Sequence, residues 1–228
     1  IHVVGYDHDS TFTQKTGSTV NAGFIYVGAN SGSTGTYNLE GGNLRATSIE
    51  TVYFGTAEFN FTGGVLSVDS FTGNLVVQSG GTLAPGNSPG ITVITGDLTN
   101  LGTLEFELSN PLGSPGADWD QVQVTGDVHL GGNLNLVQWD GYAPTIGDTF
   151  RLITWGGTFY DDGFDLNSWT GVWSYTIAAK WLEVTCDDSG PGPEAVPEPA
   201  TVVSIISGLV MLTYRRVCKR NKKASKVC

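Results

Sequence analysis

Before Arg215 the chain has very little positive charge. Lys15, Arg45, Arg151 and Lys180 are the only cations in the first 195 residues, against twenty-one carboxylates, a net of −17. Such a surface repels phosphate backbones and anionic lipids; it argues against nucleic acid as a partner and favours solubility and loose attraction of divalent cations. Cysteine is scarce: Cys186, Cys218 and Cys228 are all there are, spaced for neither a disulfide framework nor a metal site. Cys186 is expected to be a free thiol or an intermolecular contact. The three histidines, His2, His8 and His129, sit in no pattern that pairs a base with a serine or cysteine nucleophile, and are expected to be surface imidazoles. Long apolar runs are missing as well. The stretch 202–214 has thirteen uncharged residues, short of the roughly twenty that cross a hydrocarbon core. The chain starts at Ile1 with no initiator Met and no apolar leader, and is expected to be a fragment or trimmed form of a longer protein.

What remains for chemistry is carboxylate. Asp118 and Asp120 are two apart, as are Glu105 and Glu107, so each pair shares one face of an extended strand. Alternate acids on a strand are the mark of a solvated face, and the two carboxylates of a glycosidase come from separate segments. Asp7-His8-Asp9, Asp118-Trp119-Asp120 and Asp161-Asp162-Gly163-Phe164-Asp165 offer oxygen atoms in turns, without the spacing of an EF-hand loop or a calcium-binding nonapeptide repeat. No catalytic residue, cofactor or metal is therefore expected. The rival expectation is a polysaccharide-active enzyme, a lyase or hydrolase.

The body repeats itself. Tyr37-Asn38-Leu39-Glu40-Gly41-Gly42-Asn43-Leu44 is echoed by Phe59-Asn60-Phe61-Thr62-Gly63-Gly64-Val65-Leu66, and more weakly by Val76-Val77-Gln78-Ser79-Gly80-Gly81-Thr82-Leu83 and Val128-His129-Leu130-Gly131-Gly132-Asn133-Leu134. Ile25-Tyr26-Val27-Gly28 likewise matches Val52-Tyr53-Phe54-Gly55. Short alternating strands joined at glycine corners, with a period of roughly twenty to thirty residues, are the pattern of a solenoid whose rungs bury their apolar faces only by stacking. Tyr37, Leu39, Leu44, Phe59, Phe61 and Leu66 are expected to point inward, Asn38 and Asn60 outward. A right-handed parallel β-helix, an all-β fold, is the leading expectation; an antiparallel sandwich of hairpins satisfies the same alternation.

Gly80-Gly81-Thr82-Leu83-Ala84-Pro85-Gly86-Asn87-Ser88-Pro89-Gly90 and Asp118-Trp119-Asp120-Gln121-Val122-Gln123-Val124-Thr125-Gly126 resemble the strand repeats of autotransporter passenger domains. That resemblance implies a right-handed parallel β-helix over 1–147 and a β-rich cap over 148–185, where Trp155, Trp169, Trp173 and Trp181 gather. Cap packing is the expected role of these rings, which would cover the strand edges of the last rung; a sugar-binding platform is the alternative.

The end of the chain is different in kind. After a linker, 186–195, comes Val196-Pro197-Glu198-Pro199-Ala200-Thr201, then the apolar stretch 202–214, then seven of the chain's eleven cations, with no acid among them. Two prolines hold the first element extended, and the charge bias places the C-terminus in the cytoplasm. Residues 196–228 resemble the PEP-CTERM sorting signal of bacterial surface proteins. The resemblance implies an exosortase as processing partner, Pro197, Glu198 and Pro199 as the motif it recognises, and Arg215, Arg216, Lys219 and Arg220 as the residues that set topology. It implies transient association with the inner membrane, then display at the cell surface or release outside it. The expected function is non-enzymatic: adhesion, biofilm or envelope structure, with extracellular polysaccharide as a candidate partner.

Overall fold

The computed structural model describes residues 1–51 and 54–190. The described residues contain sixteen strands and no helix. In chain order these are β1 (His2–Val4), β2 (Ser10–Gln14), β3 (Thr19–Val27), β4 (Thr34–Glu50), β5 (Thr56–Thr72), β6 (Leu75–Val77), β7 (Gly81–Leu83), β8 (Ile91–Thr95), β9 (Leu98–Asn100), β10 (Thr103–Leu108), β11 (Gln121–Val124), β12 (Val128–Gln138), β13 (Thr149–Trp155), β14 (Phe159–Ser168), β15 (Val172–Ile177) and β16 (Trp181–Asp188). All belong to one large sheet, parallel except where β16 meets β13 and β15. The fold is all-β, as the alternation predicts, and the pairing is not that of a sandwich of hairpins.

The register explains the repeats. Tyr37 lies beside Phe59, Leu39 beside Phe61 and Leu44 beside Leu66. Extending that last pair gives an unbroken row: Val20, Leu44, Leu66, Leu83, Leu104, Leu134 and Leu166, each beside the next on a parallel neighbour. Leu66, Leu83, Leu104 and Leu134 are fully buried, and each such side chain removes enough apolar area from water to contribute on the order of 2 kcal/mol. A second row runs His2, Ile25, Ile49, Phe71, Ile94, Val124, Trp155. A third runs Gln14, Leu39, Phe61, Val77, Asn100, Leu130. All three rows feed one hydrophobic cluster. Phe12, Tyr37 and Phe59 pack ring against ring, the first pair tilted with centroids 5.1 Å apart and the second stacked at 5.4 Å.

The Gly-Gly corners serve close approach as well as turning. Gly64 has φ +85°, and a Cβ there would fall 2.5 Å from the Gly42 carbonyl oxygen; at Gly132, φ +64°, it would fall 2.3 Å from that of Gly102. Only glycine lets these corners nest. At another corner, polar side chains bind successive turns. Asn74 Oδ1 accepts from the Asp97 amide at 2.9 Å, Asp97 Oδ1 from the Asp127 amide at 2.8 Å, and Asp127 Oδ1 from the Thr158 amide at 2.6 Å.

Two details qualify the expectation. Ile25 lies beside Ile49; Val52 and Tyr53, the counterparts of Ile25 and Tyr26 in the sequence match, lie outside the described residues, and Phe54 is exposed. The glycines of that match do stack, the Gly55 amide donating to the Gly28 carbonyl at 2.8 Å. By then β4 has ended at Glu50, with Ile49 already filling the inward position. The glycines of that match thus share a turn. Also, β16 runs to Asp188, past the expected start of the linker, because Leu182, Val184 and Cys186 continue the inward alternation. Cys186 is a free thiol but fully buried, which removes it from contact with other molecules.

Within 148–185, β13 and β14 continue the parallel ladders of β11 and β12, and antiparallel pairing begins only with β15 and β16. Trp155 is buried, and Trp169 and Trp173 pack against the core. Trp181 lies 4.2 Å beneath the Arg151 guanidinium.

Candidate functional site

Every residue to which the sequence assigns a site role, Pro197, Glu198, Pro199, Arg215, Arg216, Lys219 and Arg220, lies outside the described residues, as does the apolar stretch 202–214. Among the described residues no helix is long and apolar enough to cross a membrane, and no group of three or more His, Cys, Asp or Glu is placed to hold a metal ion.

The carboxylates of the second tier have distinct surroundings. Asp118 closes a local turn: it accepts from the Ser114 amide at 2.9 Å and lies near the Asn110 amide group. Asp120, although only two residues on, is turned inward and is 2 % exposed. Its Oδ1 accepts from the Gly90 amide at 2.6 Å and its Oδ2 from the Glu107 amide at 2.8 Å. Its own amide donates to the Glu107 carbonyl, and that of Gln121 to the Gly90 carbonyl. One side chain therefore ties the end of the loop before β8, the strand β10 and the start of β11. Burial pushes the Asp120 carboxyl up to about 7 against the opposing pull of the two amides, and the charges of Glu107 and Glu105 add to the rise. Glu107 is pushed up too, chiefly by burial, with a Ser88 bond opposing and the Glu105 charge adding. The two aspartates do not form a working pair, because Asp120 is sealed from any substrate.

His129 carries more than an isolated surface imidazole. It stacks on Tyr160 with ring centroids 4.2 Å apart and planes 8° apart, and its Nδ1 lies 3.1 Å from Asp162 Oδ2. The β12–β14 register places His129 beside Tyr160. Both side chains are partly exposed on the outer face.

A groove of about 620 Å³ lies on the outer face of β3, β4 and β5, lined by Asn21, Arg45, Thr47, Asp69 and Asn87 among others. Asn21 and Arg45 are register partners on β3 and β4; Asp69 comes from β5 and Asn87 from the loop before β8. A second hollow of about 520 Å³ shares Asp69 and Asn87 and continues to Gly116 and Ala117. Asn87 belongs to the Gly80–Gly90 element, whereas no sequence motif marks Asn21, Arg45, Thr47 or Asp69, and the fold alone brings them to it.

Compared with family models, with curated proteins and with solved structures, the chain matches none.

Proposed function

We propose that the protein is an exported, non-enzymatic surface or matrix protein, sorted by an exosortase and acting in adhesion, biofilm or envelope structure. The observation that carries the reading is the order of the C-terminal elements: Pro197-Glu198-Pro199, then 202–214 without a charge, then seven cations from Arg215 to Lys226. A folded domain gains nothing from that sequence of parts, whereas a membrane-engaged processing signal needs each of them. The working part is then the acidic body, whose parallel ladders close as a right-handed parallel β-helix ended by the antiparallel β15 and β16. Three inward rows sharing one core, and corners that nest on glycine, support that closure.

The reading is tested by co-expression with an exosortase. Wild-type chain is expected to leave the membrane fraction, and a Pro197→Ala, Pro199→Ala variant to stay there at full mass; equal release of both refutes recognition of the motif. A polysaccharide-active enzyme is the second reading, favoured by Glu107, whose carboxyl is raised and lies beside Glu105. Release of new reducing ends or unsaturated products from a polysaccharide would establish it.

A further inference from the structure

We infer that the groove built on Asn21, Arg45, Asp69 and Asn87 binds a neutral, polyhydroxylated chain, a glycan lying across the strands. The proposal rests on the surface-protein reading only for its biological setting, and on the groove itself for its chemistry.

The first argument is that the groove's polar side chains are unspent. Elsewhere on the outer face asparagines bond to neighbours: Asn60 donates to Asn38 at 2.9 Å, Asn167 to Asn135 at 3.1 Å, and Asn30 to Asp7 at 3.0 Å. Among the described residues, the side chains of Asn21, Arg45, Thr47, Asp69 and Asn87 make no hydrogen bond or ion pair at all. All five are exposed. Converging donors and acceptors without protein partners are what a polar ligand requires, because each bond it makes replaces one to water and costs no internal bond.

The second argument concerns the kind of ligand. The set mixes donors and acceptors in planar forks: a guanidinium, a carboxylate and two amides. Such forks match pairs of adjacent hydroxyls. No aromatic ring lines the groove, so a ligand held by stacking is not what it fits. The Asp69 carboxylate offsets the Arg45 charge, and the surrounding body is strongly acidic, which disfavours a polyanion. A neutral sugar chain satisfies all three conditions.

The third argument is one of length. Asn21, Arg45 and Asp69 come from the neighbouring strands β3, β4 and β5, spaced about 4.8 Å apart; Asn87 follows from the loop before β8, and the adjoining hollow prolongs the path to Gly116 and Ala117. A linear pyranose chain advances by a similar step per residue, so one sugar faces each strand. Gly23 leaves the floor open: a Cβ there would meet nothing within 4 Å.

Gly23 also supplies a clean test. Gly23→Trp fills the groove without crowding the backbone, and Asp69→Ala with Asn87→Ala removes bonding groups that no described residue uses. Titration calorimetry of the full chain against cellohexaose, xylohexaose, mannohexaose and hexagalacturonate is the assay. The expected result is saturable binding of at least one neutral hexaose, weakened tenfold or more in both variants with the unfolding temperature unchanged, and weaker binding of hexagalacturonate. Absence of binding by all three neutral hexaoses, binding that survives Gly23→Trp, or tighter binding of the charged chain would each overturn the proposal. None of these outcomes touches the sorting signal, so failure here is separable from failure of the surface-protein reading.

Discussion

Asp120 makes stability fall as pH rises, and the effect is large enough to measure. Its carboxyl stands at about 7 in the folded chain against an ordinary 3.8, a gap of about three pH units. At 1.36 kcal/mol per unit that is on the order of 4 kcal/mol of differential stability. Because the folded value is raised, the stabilising contribution is complete below 3.8, is lost as pH climbs toward about 7, and changes no further above it. Asp120→Asn abolishes that titration at a cost. Both carboxylate oxygens accept from backbone amides, and the asparagine keeps only one acceptor oxygen, so one amide faces another N–H at about 1 to 3 kcal/mol. Urea unfolding followed from pH 3.5 to 8 is therefore expected to show the variant less stable than wild type at the acid end. On these figures the two curves should cross between about pH 4.5 and 6, and by pH 8 the variant should be the more stable by about 1 to 3 kcal/mol. The difference between them isolates Asp120 from the smaller contribution of Glu107, which runs in the same direction. Parallel curves, offset by a constant, would refute the reasoning.

Leu66→Ala opens a cavity in the middle of the leucine row and is expected to cost about 2 to 5 kcal/mol in urea unfolding; a loss below 1 kcal/mol would mean that the row is not close-packed. Gly64→Ala places a Cβ 2.5 Å from the Gly42 carbonyl oxygen at positive φ, and should destabilise by more than about 1 kcal/mol. Gly23→Ala, which meets nothing within 4 Å, should be tolerated. Equal midpoints for these two glycine variants would remove close approach as the reason for the corners.

The strand alternation and the offset between Tyr37–Leu44 and Phe59–Leu66 were legible in the sequence because both copies keep their inward residues and their Gly-Gly corner. The set Leu98–Leu104 was harder to see, since Leu101-Gly102 turns that corner with one glycine and Asn100 occupies an inward position usually apolar. Asn100 is fully buried, donating to the Gly131 carbonyl at 2.6 Å, and no local pattern announces it. Of the match of Val52–Gly55 to Ile25–Gly28, the glycines meet, the Gly55 amide donating to the Gly28 carbonyl, while Val52 and Tyr53 lie outside the described residues. Asp120 resembles any solvated turn acid in Asp118-Trp119-Asp120, and only the arrival of Gly90 and Glu107 from distant segments buries it. The groove is invisible for a related reason: Asn21, Arg45, Asp69 and Asn87 follow one another at intervals of eighteen to twenty-four residues and meet only once the register of β3, β4 and β5 and the loop before β8 bring them together.

The central claim, that the tail is an address removed in processing, is tested most directly by the intact mass of protein recovered from the surface or medium of cells carrying an exosortase. The account predicts a C-terminus close to Pro199 or Ala200, with 202–214 and all seven following cations gone. Full-length protein retained in the inner membrane, its C-terminus still at Cys228, would contradict it.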